Sequence, residues 1–407
     1  MDAQRTVDAV WRIESARIAA TLAKITGDIG LAEDVAQEAL VDALKQWPES
    51  GVPQNAGAWL TAVAKRKAID GWRRRERLDE RYRAIAHDLS EASDEEWQPI
   101  DDDVVRLVFT ACHPVLSRES QVALTLRVVA GLTTEQIARL LVVPIGTVQQ
   151  RIVRAKKTLA AAHVPFETPD PSEWMSRLSA VLSTVYLLFT EGYAATSGDR
   201  WIRTELAHEA LRLGRVLAGL LSREPEVHGL VALMELQASR FGARISSVGE
   251  PILLADQDRS RWDRTQITRG RAALRRVDEL GRGRGNYALQ ASIAECHAIA
   301  PSVEETDWER IVVLYEALGR IAPSPVVELN RAVAVSMATG PANALLIADR
   351  LVSEGALRGS YLLPSVRGEL LARLGRVEEA RSELISAAEL AGNERESAVL
   401  RARAAAL

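Results

Sequence analysis

"LTTEQIARLLVVPIGTVQQRIVRAKKTL", residues 132–159, decides how the chain is read. Thr133 or Thr134 is placed to cap a helix whose buried stripe would be Ile137, Leu140 and Leu141. "VVPIG" leaves room only for a tight turn, with Pro144 and Gly146 expected to stop the first helix and set the angle of the second. From Thr147 onward, Val148, Ile152, Ala155 and Leu159 recur at helical spacing and predict an inward face. Gln149, Gln150, Arg151, Arg154, Lys156 and Lys157 are left mostly outward. A DNA-reading helix-turn-helix needs this arrangement. Amides and guanidinium groups near the start of the second helix reach base edges, and later cations hold phosphates. No acid occurs between Glu135 and Glu167. A solvated basic face is the plain alternative, and the turn together with the acid-free span favours DNA.

Ala, Leu, Arg and Glu recur at three- and four-residue spacing over nearly all 407 residues, and β-branched alternation is scarce. The expected fold class is therefore all-α. The length exceeds one ordinary core, so two or three domains are expected. Net charge is only −4, so nucleic-acid binding must come from local patches. Cys112 and Cys296 lie far apart and form no CxxC, which argues against a disulfide scaffold or a zinc site and fits a reducing compartment. No signal-like N-terminus and no apolar run near the roughly 18 residues needed for a bilayer is found, so a cytoplasmic protein without membrane contact is expected.

The chain divides by charge and by breakers. Residues 1–83 end in a basic run, and 84–102 lie in an acidic, Ser- and Pro-containing stretch that reads as a linker. Residues 103–163 form a second helical segment, closed by the three prolines of "HVPFETPDPSEW". The remainder splits at "GRGRGN" (281–286) into 172–285 and 286–407. Those glycines read as a flexible turn rather than a phosphate loop, because no strand precedes them and the spacing is not GxGxxG. Near the end, two helix–turn–helix units have turn glycines Gly340 and Gly375 35 residues apart, close to the tetratricopeptide period.

In "WLTAVAKRKAIDGWRRR" (59–75), Trp59, Leu60, Val63 and Ala64 suit burial. Lys65, Arg66, Arg73, Arg74 and Arg75 point outward in part, with Asp70 four residues from Arg66 and from Arg74. Cations beside an aromatic suit an unpaired strand, since a ring stacks on any base. A core tryptophan beside solvated arginines is the alternative. Upstream, "AEDVAQEALVDALKQW" (32–47) buries Val35, Ala39, Leu40, Ala43 and Leu44 and turns Glu33, Asp34, Gln37, Glu38 and Asp42 outward with few cations to neutralise them. Such a face is either a solubility device or a docking surface for a basic protein.

Taken in order, these three motifs over 1–163 resemble regions 2.2, 2.3–2.4 and 4.2 of the extracytoplasmic-function (ECF) sigma factors of bacterial RNA polymerase. The resemblance implies that Asp34, Gln37 and Glu38 dock on the polymerase core. It also implies that Gln54 and Asn55, in the loop "PESGVPQNAGA", capture a flipped −10 base, and that Lys65, Arg66, Trp72, Arg73 and Arg74 hold the −10 strand. Thr147, Gln149, Gln150, Arg151 and Arg154 would read the −35 element of promoter DNA. Gln150 stands where the common family pattern has Ser, so promoter sequence does not carry over. "FTACHPVLSRESQVALTLRVVAGLTTEQIA" and "YLLFTEGYAATSG" further resemble a subgroup with a long helical extension ending in tetratricopeptide-like repeats.

No enzyme, cofactor or metal is expected. Cys112 and His113 lack a second pair to complete a tetrahedral site, and His208–Glu209 is not followed by the second histidine of HExxH. "FTEGYAATSGDRW" lines either a pocket or, as favoured here, a polar helix junction. The extension is expected to contact a regulatory protein. The competing view is a helix-turn-helix regulator fused to a ligand-sensing or enzymatic helical domain, and a further one is an activator that never joins polymerase.

Overall fold

The computed structural model describes residues 2–53, 55–75, 101–141, 143–193, 204–244, 252, 254–391 and 394–407. Among them every regular element is helical, and no strand occurs. The acidic linker falls almost wholly outside the described residues, as does most of "GYAATSGDRW". The helices separate into two compact units. One holds residues 1–190 and 208–220, and the other holds 191–207 and 221–407.

The first unit begins with α1 (Asp2–Thr26), α2 (Ile29–Ser50) and α3 (Ala56–Arg75). Asp28 caps α2 by accepting from the backbone N–H groups of Gly30 and Leu31 at 2.7 and 3.1 Å. Trp11, Ile18, Leu22, Ala36, Ala39, Trp47, Leu60 and Ala64 form a shared core, with small alanines letting the backbones approach. The Trp47 and Trp59 rings meet edge to face at 5.3 Å, so Trp59 is half-buried as its spacing predicts.

Four helices follow: α4 (Asp101–Ala111), α5 (Arg118–Val128), α6 (Thr134–Leu141) and α7 (Ile145–Ala161). Next come α8 (Trp174–Tyr193) and α9 (Thr204–Leu220). The prolines after α7 break the helix as expected, yet α8 packs back onto α4 and α5. Phe109 meets the Trp174 ring at 5.0 Å, the Arg177 guanidinium donates to the Phe109 carbonyl, and the Thr184 hydroxyl donates to Gln121. The start of the extension therefore completes the same core as α4 and α5.

The second unit runs from α10 (Pro225–Ala238) through α11 (Arg264–Glu279), α12 (Asn286–Ile299), α13 (Trp308–Ile321), α14 (Pro325–Ala338), α15 (Pro341–Ser353), α16 (Leu362–Arg373) and α17 (Val377–Leu390) to α18 (Glu394–Ala405). From α12 on, each helix buries its apolar stripe mainly against its chain neighbours, in successive clusters around Ile311, Leu345 and Leu384. Gly340 and Gly375 take φ of +100° and +75° at equivalent turns, before α15 and α17. The "GRGRGN" turn is less free than its glycines suggest. Arg284 grips Asp278 with two hydrogen bonds of 2.9 Å, and Glu226 accepts from the Tyr287 and Ala288 N–H groups at the start of α12.

One buried histidine gives this unit a pH dependence. Burial pushes His297 down from 6.5 to about 4, and the nearby Arg240 and Arg259 push the same way. The folded unit thus keeps His297 neutral where an unfolded chain would take up a proton. Its stability should be full above pH 6.5 and fall as pH drops from there towards 4. Thermal unfolding across that window should show the loss, and His297→Gln should flatten the slope. An unchanged slope would remove His297 as its source.

Candidate functional site

Thr133 supplies the cap of α6, reciprocally. Its hydroxyl oxygen accepts from the Gln136 N–H at 3.2 Å, and Gln136 Oε1 accepts from the Thr133 N–H at 2.9 Å. The α6 backbone closes through Val143 N–H to the Ala138 carbonyl, and Pro144 caps α7. Gly146 does not stop the first helix as expected. It lies in the first turn of α7, because Pro144 alone ends the preceding segment and its fixed φ starts the next helix. Val148, Ile152, Ala155 and Leu159 are all buried. Gln149, Gln150, Arg154 and Lys157 are exposed around a shallow open groove of about 690 Å³, while Thr147 and Arg151 are half-buried. Arg151 lies near Glu119. That carboxyl is held below its usual range by hydrogen bonds from its own backbone and Ser117, and Arg151 adds to the effect.

Two charged residues depart from expectation. Lys156 turns inward instead of joining the phosphate-facing cations. Its Nζ lies 2.6 Å from Glu33 Oε2 and 2.7 Å from Asp34 Oδ1, both on α2. Glu33 is correspondingly not outward but 4% exposed, and its other oxygen accepts from Arg127 Nε at 2.6 Å. The physical reason is position. Lys156 flanks the buried stripe of α7, so its stem can lie along apolar surface while the ammonium reaches a carboxylate. Burial by itself would raise Glu33, but Arg127 and Lys156 outweigh it and leave the carboxyl below its ordinary range. Burial would likewise lower Lys156, and Glu33 and Asp34 reverse that.

The acidic face of α2 is also less uncompensated than its sequence implies. Lys67 Nζ on α3 sits 2.9 Å from Asp42 and 3.6 Å from Glu38. Those helices are close enough that one basic residue of α3 is spent on α2. Asp34 and Glu38 remain 67% and 63% exposed, and Gln37 is half-buried. Lys65 is half-buried and Arg66 exposed on α3. Asn55 is exposed, and its side-chain oxygen accepts from the Ala58 N–H at 3.0 Å, so it also caps α3. Gln54 lies outside the described residues. For Trp72, Arg73 and Arg74 the helical backbone is described and the side chains are not.

Sequence reading missed Arg127 and Lys156 as partners of Glu33. The available signal was an acid flanking the buried stripe of α2, which needs a cation from elsewhere in the fold. Cys112 packs as expected, with Sγ 3.3 Å from the Thr125 hydroxyl and burial pushing the thiol up. Among the described residues no three potential metal ligands cluster, and no helix is long and apolar enough to cross a membrane.

Comparison with known proteins places these elements. Residues 12–78 match sigma-70 region 2 and 106–159 match sigma-70 region 4, while 177–278 match a family of unknown function, DUF6596. The chain is thus a sigma-70-type factor, a non-enzymatic class of transcription factor whose members bind core RNA polymerase and promoter DNA. It is 33% identical over 141 residues to the ECF RNA polymerase sigma factor SigL of Mycobacterium tuberculosis, covering 33% of this chain and 76% of SigL. It is 30% identical over 164 residues to the probable ECF factor SigI of the same organism, covering 39% of this chain and 56% of SigI. An uncharacterised protein of Rhizobium meliloti (strain 1021) is 44% identical over 388 residues, 92% of this chain and 89% of that one. The chain belongs to the ECF sigma factors, as a form with a C-terminal extension. No solved structure matches it.

Proposed function

We propose that this chain directs core RNA polymerase to its own set of promoters in the bacterial cytoplasm, working without a cofactor and making no covalent change itself. Residues 1–83 and 103–163 act as region 2 and region 4, joined by the tether 84–102. Thr147, Gln149, Gln150, Arg151 and Arg154 read the −35 element. Gln54, Asn55, Lys65, Arg66, Trp72, Arg73 and Arg74 hold the −10 strand, and Asp34, Gln37 and Glu38 dock on polymerase. The observation that carries the reading is the exposed amide and guanidinium face of α7, mounted on a fully buried apolar stripe. The extension, 172–285 and the tetratricopeptide-like 286–407, controls engagement through a protein partner. Stacked helical hairpins suit that work.

The test is transcription by purified core polymerase with this chain as the sole sigma factor. Initiation at a −35/−10 promoter supports the reading. Transcription only when another sigma factor is present would make the chain an activator instead. Arg151→Ala should weaken −35 binding by about 10- to 100-fold, the loss of one base contact, while leaving core association unchanged. Equal loss of both would show that the helix roles are misassigned.

A further inference from the structure

From Arg264 to Val277, α11 carries five arginines and no acid, in a chain whose net charge is −4. Ile267, Gly270, Leu274 and Val277 are buried and fix the rotation of the helix. A Cβ at Gly270 would lie 2.7 Å from Leu236 Cγ, so α11 sits close against α10 on that side. On the other side Arg264, Arg271 and Arg275 form one exposed row, and Arg269 and Arg276 form a second about 120° round the helix. Thr265, Thr268 and Ala272, also exposed, floor the trough between the rows.

The acids near this face are already engaged. Arg271 pairs with Glu295 of α12 at 2.9 Å and Arg276 with Glu279 at 3.1 Å. Arg284 holds Asp278, and Asp263 caps α11 by accepting from the Thr265 and Gln266 N–H groups. Arg264, Arg269 and Arg275 make no hydrogen bond or ion pair among the described residues. What the face lacks selects its partner. It has no apolar side chain larger than Ala272, so a protein would find little to bury. It has no aromatic ring, so unpaired bases would find no stacking platform. Guanidinium forks above a floor of small residues suit the phosphate oxygens of a backbone. Arg264 to Arg275 spans about 16 Å of helix, enough to meet several successive phosphates.

We propose that this face of α11 holds the phosphate backbone of duplex DNA upstream of the −35 element, whatever its sequence. Its upstream location rests on the promoter reading above: regions 2 and 4 take the DNA from −35 to −10, and the duplex beyond −35 is left. One polypeptide carries both surfaces, so α7 on a promoter keeps DNA phosphates at high local concentration around α11. The matched family of unknown function, whose last helix is α11, thereby gains a DNA-holding role.

The test reads phosphates by salt. Fluorescence anisotropy follows the full chain on a labelled mixed-sequence duplex at several salt concentrations. Combining Arg264→Gln, Arg269→Gln and Arg275→Gln should reduce the slope of log K against log salt by about 2–3, near 0.9 per phosphate lost. Arg320→Gln, Arg358→Gln and Arg401→Gln, also exposed in the second unit, remove the same charge and should leave the slope within about 0.5. An unchanged slope in the α11 variant, or an equal loss in both, would overturn the proposal. A single strand of the same length should be affected less than the duplex, and a larger effect would reassign the face to unpaired nucleic acid. With core polymerase present, lengthening a promoter fragment by about two helical turns upstream of −35 should tighten binding of the parent and not of the α11 variant. No gain for the parent would overturn the upstream placement. If no promoter complex forms at all, the sigma reading fails, while the duplex slopes still decide whether α11 holds DNA.

Discussion

Arg259→Met should destabilise the second unit by about 3–5 kcal/mol, through the two carbonyls it leaves behind. Arg259 sits in a short turn before α11 and is 8% exposed. One guanidinium nitrogen donates at 2.8 Å to both the His297 and the Ala300 carbonyls, at the end of α12, and the other donates to the Thr306 hydroxyl at 3.3 Å. Its planar head lies 5.1 Å from the Trp262 ring. Methionine fills much of the volume but donates nothing, so helix-terminal carbonyls stay buried and unpaired. Thermal unfolding of the full chain should show the second unit melting earlier. Arg261→Met, an exposed neighbour in the same turn, should stay within about 0.5 kcal/mol of the parent. Equal effects at 259 and 261 would mean that the turn's conformation, not the three hydrogen bonds, is what matters.

Gly131→Ala should loosen the joint between regions 2 and 4 by about 2–4 kcal/mol, the sum of overpacking and left-handed backbone strain. Gly131 takes a φ of +68° between α5 and α6, and a Cβ there would lie 2.2 Å from the Ser15 hydroxyl and 3.1 Å from Ser15 Cβ. Ser15 is buried, and turning its hydroxyl away would still leave its Cβ at 3.1 Å, so the turn and α1 must give by a few tenths of an ångström. Amide hydrogen exchange in α1 and α5 should quicken roughly 100-fold if opening of this joint governs it. Ser15→Gly added to Gly131→Ala should recover the steric share and leave the backbone share. Exchange confined to residues 129–133 would show that the turn bends alone and the joint is not coupled.

Periodicity exposed the local half of this structure, since helix formation depends on residues three and four apart. Val148, Ile152, Ala155 and Leu159 were legible as one face, and all four are buried. Thr133 was one of two capping candidates, and its hydrogen bonds select it. The candidate −35 face was legible for the same reason, because exposing Gln149, Gln150 and Arg154 follows from burying their neighbours. The span 54–75 is different: its charges were plain, but Lys67 turns out to serve Asp42 and Glu38 of α2.

What the sequence by itself determined is the all-α class, the helix-turn-helix and the presence of one acidic and one basic helix, each set by neighbours within a turn or two. Only the tertiary structure decided which charges are free. Glu33 and Lys156 are 123 residues apart, and each alone reads as a solvated ion at the edge of an amphipathic helix. Their pairing depends on how α2 and α7 cross. A charge's partner is fixed by distance in space, and no local period carries that distance.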